Sequence, residues 1–289
     1  MSDWGKGVNN DIGWGQGADN NIGWGSIYDK SFSGDTLLGG GSGYNANYQA
    51  VIDYANSEGL TLPNSIIQNL QNDFAISINP FFSKFKELHF WSGEAGKSGF
   101  KSIDWARLNR ADYYNSPTFL ANGIKGNGTS SYADLNFNAD AETTIDSLTF
   151  GFYAPNNITS GINEAIMGGS DSSNKGILLI KRDNNDSIFS SNSEIKVSNA
   201  QATIGLISIS SDGSTGTIRQ GTTTLDTETI STQFKSSQSI FLLNRNGNGI
   251  PQVGQFSNDT ISISFIADEL TATELGILET AIETFLNAI

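Results

Sequence analysis

The chain has no cysteine and a single histidine, His89, in 289 residues. Disulfides and thiol chemistry are thereby excluded, a zinc set has neither a thiolate nor a second imidazole to draw on, and a Ser-His-Asp relay cannot be argued. Cations are scarce as well: 16 Lys and Arg face 30 Asp and Glu, a formal charge of -14, and the basic residues are scattered. A phosphate backbone would be repelled, so nucleic acid is not expected as a partner. No apolar run approaches the ~20 residues that cross a bilayer, and the N-terminus lacks the charged-then-apolar layout of a secretory signal. Neither membrane insertion nor export by that route is expected.

What remains is rich in Ser, Thr, Asn and Gly, the composition of all-β proteins whose turns and exposed strand faces are polar but uncharged. At 289 residues and 37% hydrophobic residues the chain is long enough for a large β domain with its own core.

The N-terminus repeats itself. Trp4-Gly5-Lys6-Gly7-Val8-Asn9-Asn10-Asp11-Ile12-Gly13 is followed by Trp14-Gly15-Gln16-Gly17-Ala18-Asp19-Asn20-Asn21-Ile22-Gly23, and Trp24-Gly25 opens a further copy. Each period is too short to bury its own indole, so Trp4, Trp14 and Trp24 need pockets supplied by another surface, with Asn9, Asn10, Asn20 and Asn21 able to pair with passing peptide groups. Residues 1–44 read as an extended anchor ending in a linker, Gly39-Gly40-Gly41-Ser42-Gly43.

Over 45–79 the apolar residues recur at helical spacing. Tyr48, Val51, Ile52 and Ala55 form one stripe, and Ile66, Ile67, Leu70 and Phe74 form another after Leu62-Pro63-Asn64. Two short helices are predicted, packed on the following domain or on neighbouring subunits. Over 80–289 short strand-like runs alternate with turn residues, among them Ser147–Tyr153, Gly176–Lys181, Ile204–Ile209 and Thr260–Ile266, the texture of a β-sandwich. The region is larger than an immunoglobulin domain and suits a jelly roll. A closing helix is marked by a capping box, Thr271 with Glu274, and by the stripe Leu275, Leu278, Ile282, Phe285, Ile289.

The run Gly123-Ile124-Lys125-Gly126-Asn127-Gly128-Thr129-Ser130-Ser131-Tyr132, with Asp134-Leu135-Asn136-Phe137-Asn138, resembles the opening strand of concanavalin A-like (LamG-type) lectin domains. Phe265-Ile266-Ala267-Asp268-Glu269-Leu270-Thr271-Ala272-Thr273-Glu274 is similar to the closing strand and helix of the same domains in bacteriophage structural proteins, and the Trp-Gly leader resembles the N-termini of phage tail and virion proteins. The resemblance implies a mainly β protein in which an extended repeat arm and a short helical segment precede a concanavalin A-like jelly-roll sandwich. It further implies a virion spike, fibre or decoration protein at the particle surface. Other virion proteins would be partners, a homo-oligomer, trimer first, would be the assembly, and host-surface glycans would be the ligand.

An enzyme is not expected. Glycosidic cleavage needs carboxylates converging on one strand face, and Asp140 and Glu142, which alternate correctly, fall in Asn138-Ala139-Asp140-Ala141-Glu142-Thr143, which reads as a loop. Gly93-Glu94-Ala95-Gly96-Lys97-Ser98 lacks phosphate-loop spacing and reads as a turn. His89, between Leu88 and Phe90, reads as a core or interface histidine. For sugar recognition, rings and hydrogen-bonding side chains come together in Tyr113-Tyr114-Asn115, in Tyr153 with Asn156-Asn157, and in Asn244, Arg245 and Asn246. No cofactor is implied beyond calcium, for which Asp183 and Asp186, flanking Asn184 and Asn185, offer hard oxygen ligands that an Asx-rich turn would equally explain. The alternatives left open are a purely architectural virion protein and a virion glycan hydrolase.

Overall fold

The computed structural model describes residues 43–143, 148–158, 164–170, 176–182, 186–190, 194–196, 204–212, 214–229 and 237–289. The anchor residues Trp4, Trp14, Trp24, Asn9, Asn10, Asn20 and Asn21 lie outside these, as does Asp183. Gly43 and Tyr44 aside, all of the description concerns the unit Asn45–Ile289.

Two helices open it, α1 (Ala46–Ser57) and α2 (Ser65–Ile78). Each begins where an asparagine can cap: Asn45 accepts from the backbone N–H of Asn47, and Asn64 accepts from that of Ile67. The stripe foreseen on α1, Tyr48, Val51, Ile52 and Ala55, is its buried face; on α2 Ile67 and Phe74 are buried, but Leu70 is half-buried and Ile66 is 69% exposed, because the buried face runs through Gln71, Ala75 and Ile78 instead.

Among the described residues, the first sheet has eight strands, in the order Thr223–Thr229, Thr215–Gln220, Gly205–Ser211, Leu148–Ala154, Ile263–Ala267, Phe85–Phe90, Ile103–Asp104, Asn109–Arg110. The second runs Glu194–Lys196, Asp186–Ser190, Gly176–Arg182, Ala165–Ser170, Ser239–Leu242, Tyr132–Asn138, Asp112–Tyr114, with two short strands attached beside it. Alternation divides the side chains. Phe150, Phe152, Ile207, Ile209 and Ile266 of the first sheet meet Leu135, Phe137, Ile166, Ile240 and Leu242 of the second in one core.

The middle of the first sheet is covered on both faces. Every residue of Leu148–Ala154, Gly205–Ser211 and Ile263–Ala267 is buried, because α2 and the closing helix α5 (Ala272–Leu286) lie over the side turned away from the second sheet. Phe90 joins the layers, with ring centroids 4.6 Å from Phe74 and 4.7 Å from Phe285. Of the two placements the sequence allowed for the helices, packing on the sandwich is the one adopted. Gly151 has its reason here, since a Cβ at that position would collide with the carbonyl oxygen of Ile207. The capping box of α5 forms as read, with Thr271 Oγ1 accepting from the Glu274 N–H at 3.2 Å and Glu274 Oε2 accepting from the Thr271 N–H at 2.7 Å.

A 3-10 turn spans Asn79–Lys84, and two short helical turns complete the set, α3 (Ser98–Lys101) and α4 (Ala139–Glu142). The second corrects the loop expected over Asn138–Thr143. Asn138 caps it by accepting from the N–H groups of Asp140 and Ala141 at 3.0 and 3.3 Å.

Candidate functional site

With the middle strands of the first sheet under helices on one face and in the core on the other, the second sheet supplies an open face of the sandwich among the described residues. Its edge strand Asp112–Tyr114 turns Tyr113 inward and Asp112 and Tyr114 outward. Tyr132–Asn138 turns Tyr132, Asp134 and Asn136 outward, and Ser239–Leu242 turns Ser239 and Phe241 outward. Register brings them level: Tyr114 opposes Tyr132, Asp112 opposes Asp134, and Asp134 opposes Phe241.

An aromatic platform results. The Tyr114 ring stacks on Tyr132 with centroids 4.7 Å apart and planes 8° from parallel, Tyr132 lies 4.6 Å from Phe241, and Phe256 closes the group from a neighbouring loop at 6.3 Å. Tyr132, Phe241 and Phe256 are buried, whereas Tyr114 is 42% exposed. One ring therefore faces solvent, held in place by those behind it.

Polar groups border this ring. Asp134 Oδ1 accepts from the Asn136 N–H at 2.9 Å and from the Ser239 hydroxyl, and Asp112 Oδ2 accepts from Asn136 Nδ2 at 3.0 Å. Asp112 Oδ1, Asp134 Oδ2 and the hydroxyls of Tyr114 and Tyr132 have no hydrogen-bond partner among the described residues. Burial raises the Asp134 carboxyl above its ordinary value, the Ser239 hydroxyl and Asn136 N–H pull it back, and the nearby Asp112 charge adds to the rise. Burial likewise raises the Tyr132 phenol, helped by Tyr114 and Asp134. The backbone is strained at this place: Asn115, Ser116 and Asn136 hold φ of 54°, 54° and 52°, a left-handed region that residues other than glycine enter at a cost.

Of Tyr113, Tyr114 and Tyr153, the rings singled out in the sequence for sugar contact, Tyr114 alone reaches this face. Tyr113 packs inward on Trp91 and Phe119, its hydroxyl donates to Ser98 O at 3.0 Å, and burial drives its phenol far up. Tyr153 lies under α5, where its hydroxyl donates to Glu283 Oε1 at 3.4 Å and burial, with Glu283 and Glu279, pushes it up to about 12. Asn244 and Asn246 build turns. Asn244 pairs with both backbone groups of Gln252 at 2.8 and 3.1 Å, and Asn246 accepts from the Gly249 N–H at 2.7 Å while donating to Ser239 O at 2.8 Å. The Arg245 guanidinium donates to Ser170 Oγ at 2.7 and 2.9 Å. Asn115, next to Tyr114, spends its side-chain amide on Ser130 O at 3.0 Å. Asp186 opens the strand Asp186–Ser190.

Asp112, Tyr132, Asp134, Phe241 and Phe256 were not singled out beforehand. The period-two alternation in Tyr132-Ala133-Asp134-Leu135-Asn136-Phe137-Asn138 carried the signal for one of these strands, since it sets Tyr132 and Asp134 on one face.

A second polar cluster lies buried inside the sandwich. His89 and Glu87 are fully buried with Nε2 3.3 Å from Oε1, and His89 stacks on Trp91 at 4.6 Å and 12°. Neither imidazole nitrogen and neither carboxylate oxygen completes a hydrogen bond of ordinary geometry. Burial, then the Arg107 charge, lowers His89 to about 3, and burial, then Asp104, raises Glu87 well above the carboxylate range, so both are held neutral. Of the core or interface placement read for His89, the core is the outcome. Beside them Arg107 bridges the sheets: Nε meets Asp104 Oδ2 at 2.5 Å, Nη2 donates to Leu135 O at 3.1 Å, and Nη1 reaches Asn136 O at 3.0 Å and Glu142 at 3.2 Å.

No family model matches the chain, and no curated protein sequence does. Among solved structures, domain 4 of AbnA, a GH43 extracellular arabinanase from Geobacillus stearothermophilus in complex with arabinotriose, is similar over 68% of this chain and 98% of that domain, with 12% identity and a TM-score of 0.52. The Trypanosoma rangeli sialidase, in complex with a difluoro-KDN, is similar over 76% of this chain, again with 12% identity and a TM-score of 0.52. The chain spans 40% of the sialidase's length. At such identity the likeness shows the fold, and the chain is a β-sandwich of the kind these two proteins contain.

Proposed function

We propose that this chain is a non-enzymatic glycan-binding protein of a phage particle, held by its Trp-Gly repeats and presenting the outer face of the second sheet to host-surface sugars. The observation that carries the binding role is the exposed Tyr114 ring, backed by stacked aromatics and bordered by one oxygen each of Asp112 and Asp134 and by phenol hydroxyls that have no hydrogen-bond partner among the described residues. A sugar presents an apolar C–H face and a rim of hydroxyls. The ring takes the first and the free acceptors take the second. The arabinotriose complex of the arabinanase domain supports this reading by fold-level analogy. The repeats, with indoles that need another protein's pockets, support attachment to a particle, where many weak faces on one closed homo-oligomer would act through avidity.

Hydrolysis is the second reading, and a specific observation favours it: Asp112 and Asp134 oppose each other on the same face, and the Asp134 carboxyl is raised. One experiment separates the two. The full chain is titrated with immobilised bacterial surface polysaccharides, alongside Tyr114→Ala, while reducing ends are followed. Retention that Tyr114→Ala abolishes, with no new reducing ends, supports binding. New reducing ends that vanish in Asp134→Asn establish the hydrolase, and no retention of any polysaccharide refutes the glycan reading.

A further inference from the structure

From the electrostatics of that same face we infer that its ligand is a neutral glycan with adjacent hydroxyls, and that sialylated, uronate, sulfated and phosphorylated chains are excluded. The inference rests on the reading of the outer face as a glycan site. Two carboxylates, Asp112 and Asp134, stand opposite each other there, each with one oxygen accepting nothing among the described residues. A carboxylate oxygen is an acceptor and nothing else, so it selects O–H donors, and two of them side by side match two neighbouring hydroxyls of a sugar ring.

An anionic sugar needs a cation to offset these two carboxylates. The guanidinium groups nearest along the chain are engaged elsewhere. Arg107 is bound to Asp104, Glu142 and two carbonyls. Arg110 donates from Nε to Ser102 Oγ at 2.9 Å. Arg245 donates to Ser170 Oγ. The chain as a whole carries a formal charge of -14, so the long-range field repels polyanions before contact. Asn136 is the positioning residue of the pair, since its Nδ2 donates to Asp112 and its backbone N–H to Asp134.

The test is an array of neutral oligosaccharides, including gluco-, galacto- and arabino-oligomers, printed beside sialylated, uronate, sulfated and phosphorylated chains. It is probed with the full chain at roughly 0.01 M and 0.15 M salt, where the screening length falls from about 30 to about 8 Å. Expected are hits confined to neutral chains and little changed by salt. Asp112→Asn should weaken them about tenfold or more, because a charged acceptor is lost. Asp134→Asn should do the same, and Asp112→Asn keeps the test decisive if Asp134→Asn misfolds, since Asp112 is exposed. A pH series gives an independent readout: binding should fall as acid protonates Asp134, at a pH above the ordinary aspartate value. Binding of anionic chains by the parent protein, strengthened at low salt, would overturn the inference while leaving a glycan site in place. Neutral hits indifferent to both aspartate variants would overturn it too. No hits in either class would refute the underlying reading, and this inference with it.

Discussion

Arg107→Met is the substitution whose consequences reach furthest. The Asp104 carboxylate is fully buried and Arg107 is its only side-chain counter-charge at hydrogen-bond distance among the described residues, with its own side chain 18% exposed. Removing one partner of a buried pair costs about 3–5 kcal/mol, because the other is left charged in a poor solvent for charge. Two further losses, the bonds to Leu135 O and Asn136 O, are each worth about 1 kcal/mol and are not additive with the first. Asp104 limits the damage. It keeps the N–H groups of Leu88 and Ala106 at 3.0 and 2.9 Å, and its carboxyl, already raised by burial, rises further without the guanidinium and takes up a proton. The expected cost near neutral pH is therefore about 3 kcal/mol, or a Tm lower by roughly 6–12 °C for a domain of this size. The sign of the pH dependence follows. Once the folded Asp104 pKa lies above its unfolded value, the stability of the variant is greatest in acid and declines as pH rises through the folded value, so the gap to the parent narrows toward about pH 5. Urea titrations at several pH values, with an unchanged m-value as the check on two-state behaviour, measure this directly. A cost below about 1 kcal/mol, or a cost that is the same at about pH 5 and about pH 8, would refute the account of a strap whose charge matters.

Further consequences concern the interior and the caps. His89 is lowered to about 3, so the unfolded chain binds its proton first, stability is fully present above the ordinary imidazole value of 6.5 and is lost as pH falls toward 3, and His89→Gln should remove that part of the acid slope in thermal melts. Glu87 is raised, so its contribution is present below the ordinary carboxyl value of 4.5 and is lost as pH rises through the folded value. Glu87→Gln should then be more stable than the parent at alkaline pH by equilibrium unfolding, and an unchanged alkaline limb would contradict this. Thr271→Ala removes the hydroxyl arm of the capping box on α5 and should cost about 1 kcal/mol, read as a matching drop in the urea midpoint.

The elements themselves were plain in the sequence because each rests on local periodicity. The stripes of α1, α2 and α5, and the Thr271–Glu274 box, are all properties of fewer than about twenty consecutive residues, within reach of spacing rules. The site was not, because Tyr114, Tyr132 and Phe241 become neighbours through strand order, and strand order depends on pairings between distant segments. The letters that suggested sugar contact in Asn244-Arg245-Asn246 are the same letters that build turns, and the structure uses them so. Glu87 went unnoticed for a related reason. A charged residue in a strand reads as the exposed phase of an alternation, yet register with Ile263–Ala267 turns it into the core.

The place of Ile263–Ala267 has a bearing on how the protein is made. This strand lies between Leu148–Ala154 and Phe85–Phe90, and Trp91 on one side of it hydrogen-bonds to Ser264, 173 residues later in the chain. On the ribosome, Phe85–Phe90 and its neighbours are synthesised long before the strand that joins them to the rest of the sheet. Until residue 267 has emerged, two apolar strand edges stand open with nothing to pair with but each other or another nascent chain. The sandwich therefore closes after translation has passed nearly all of its residues, and any product that stops before that strand is left as two half-sheets prone to aggregate.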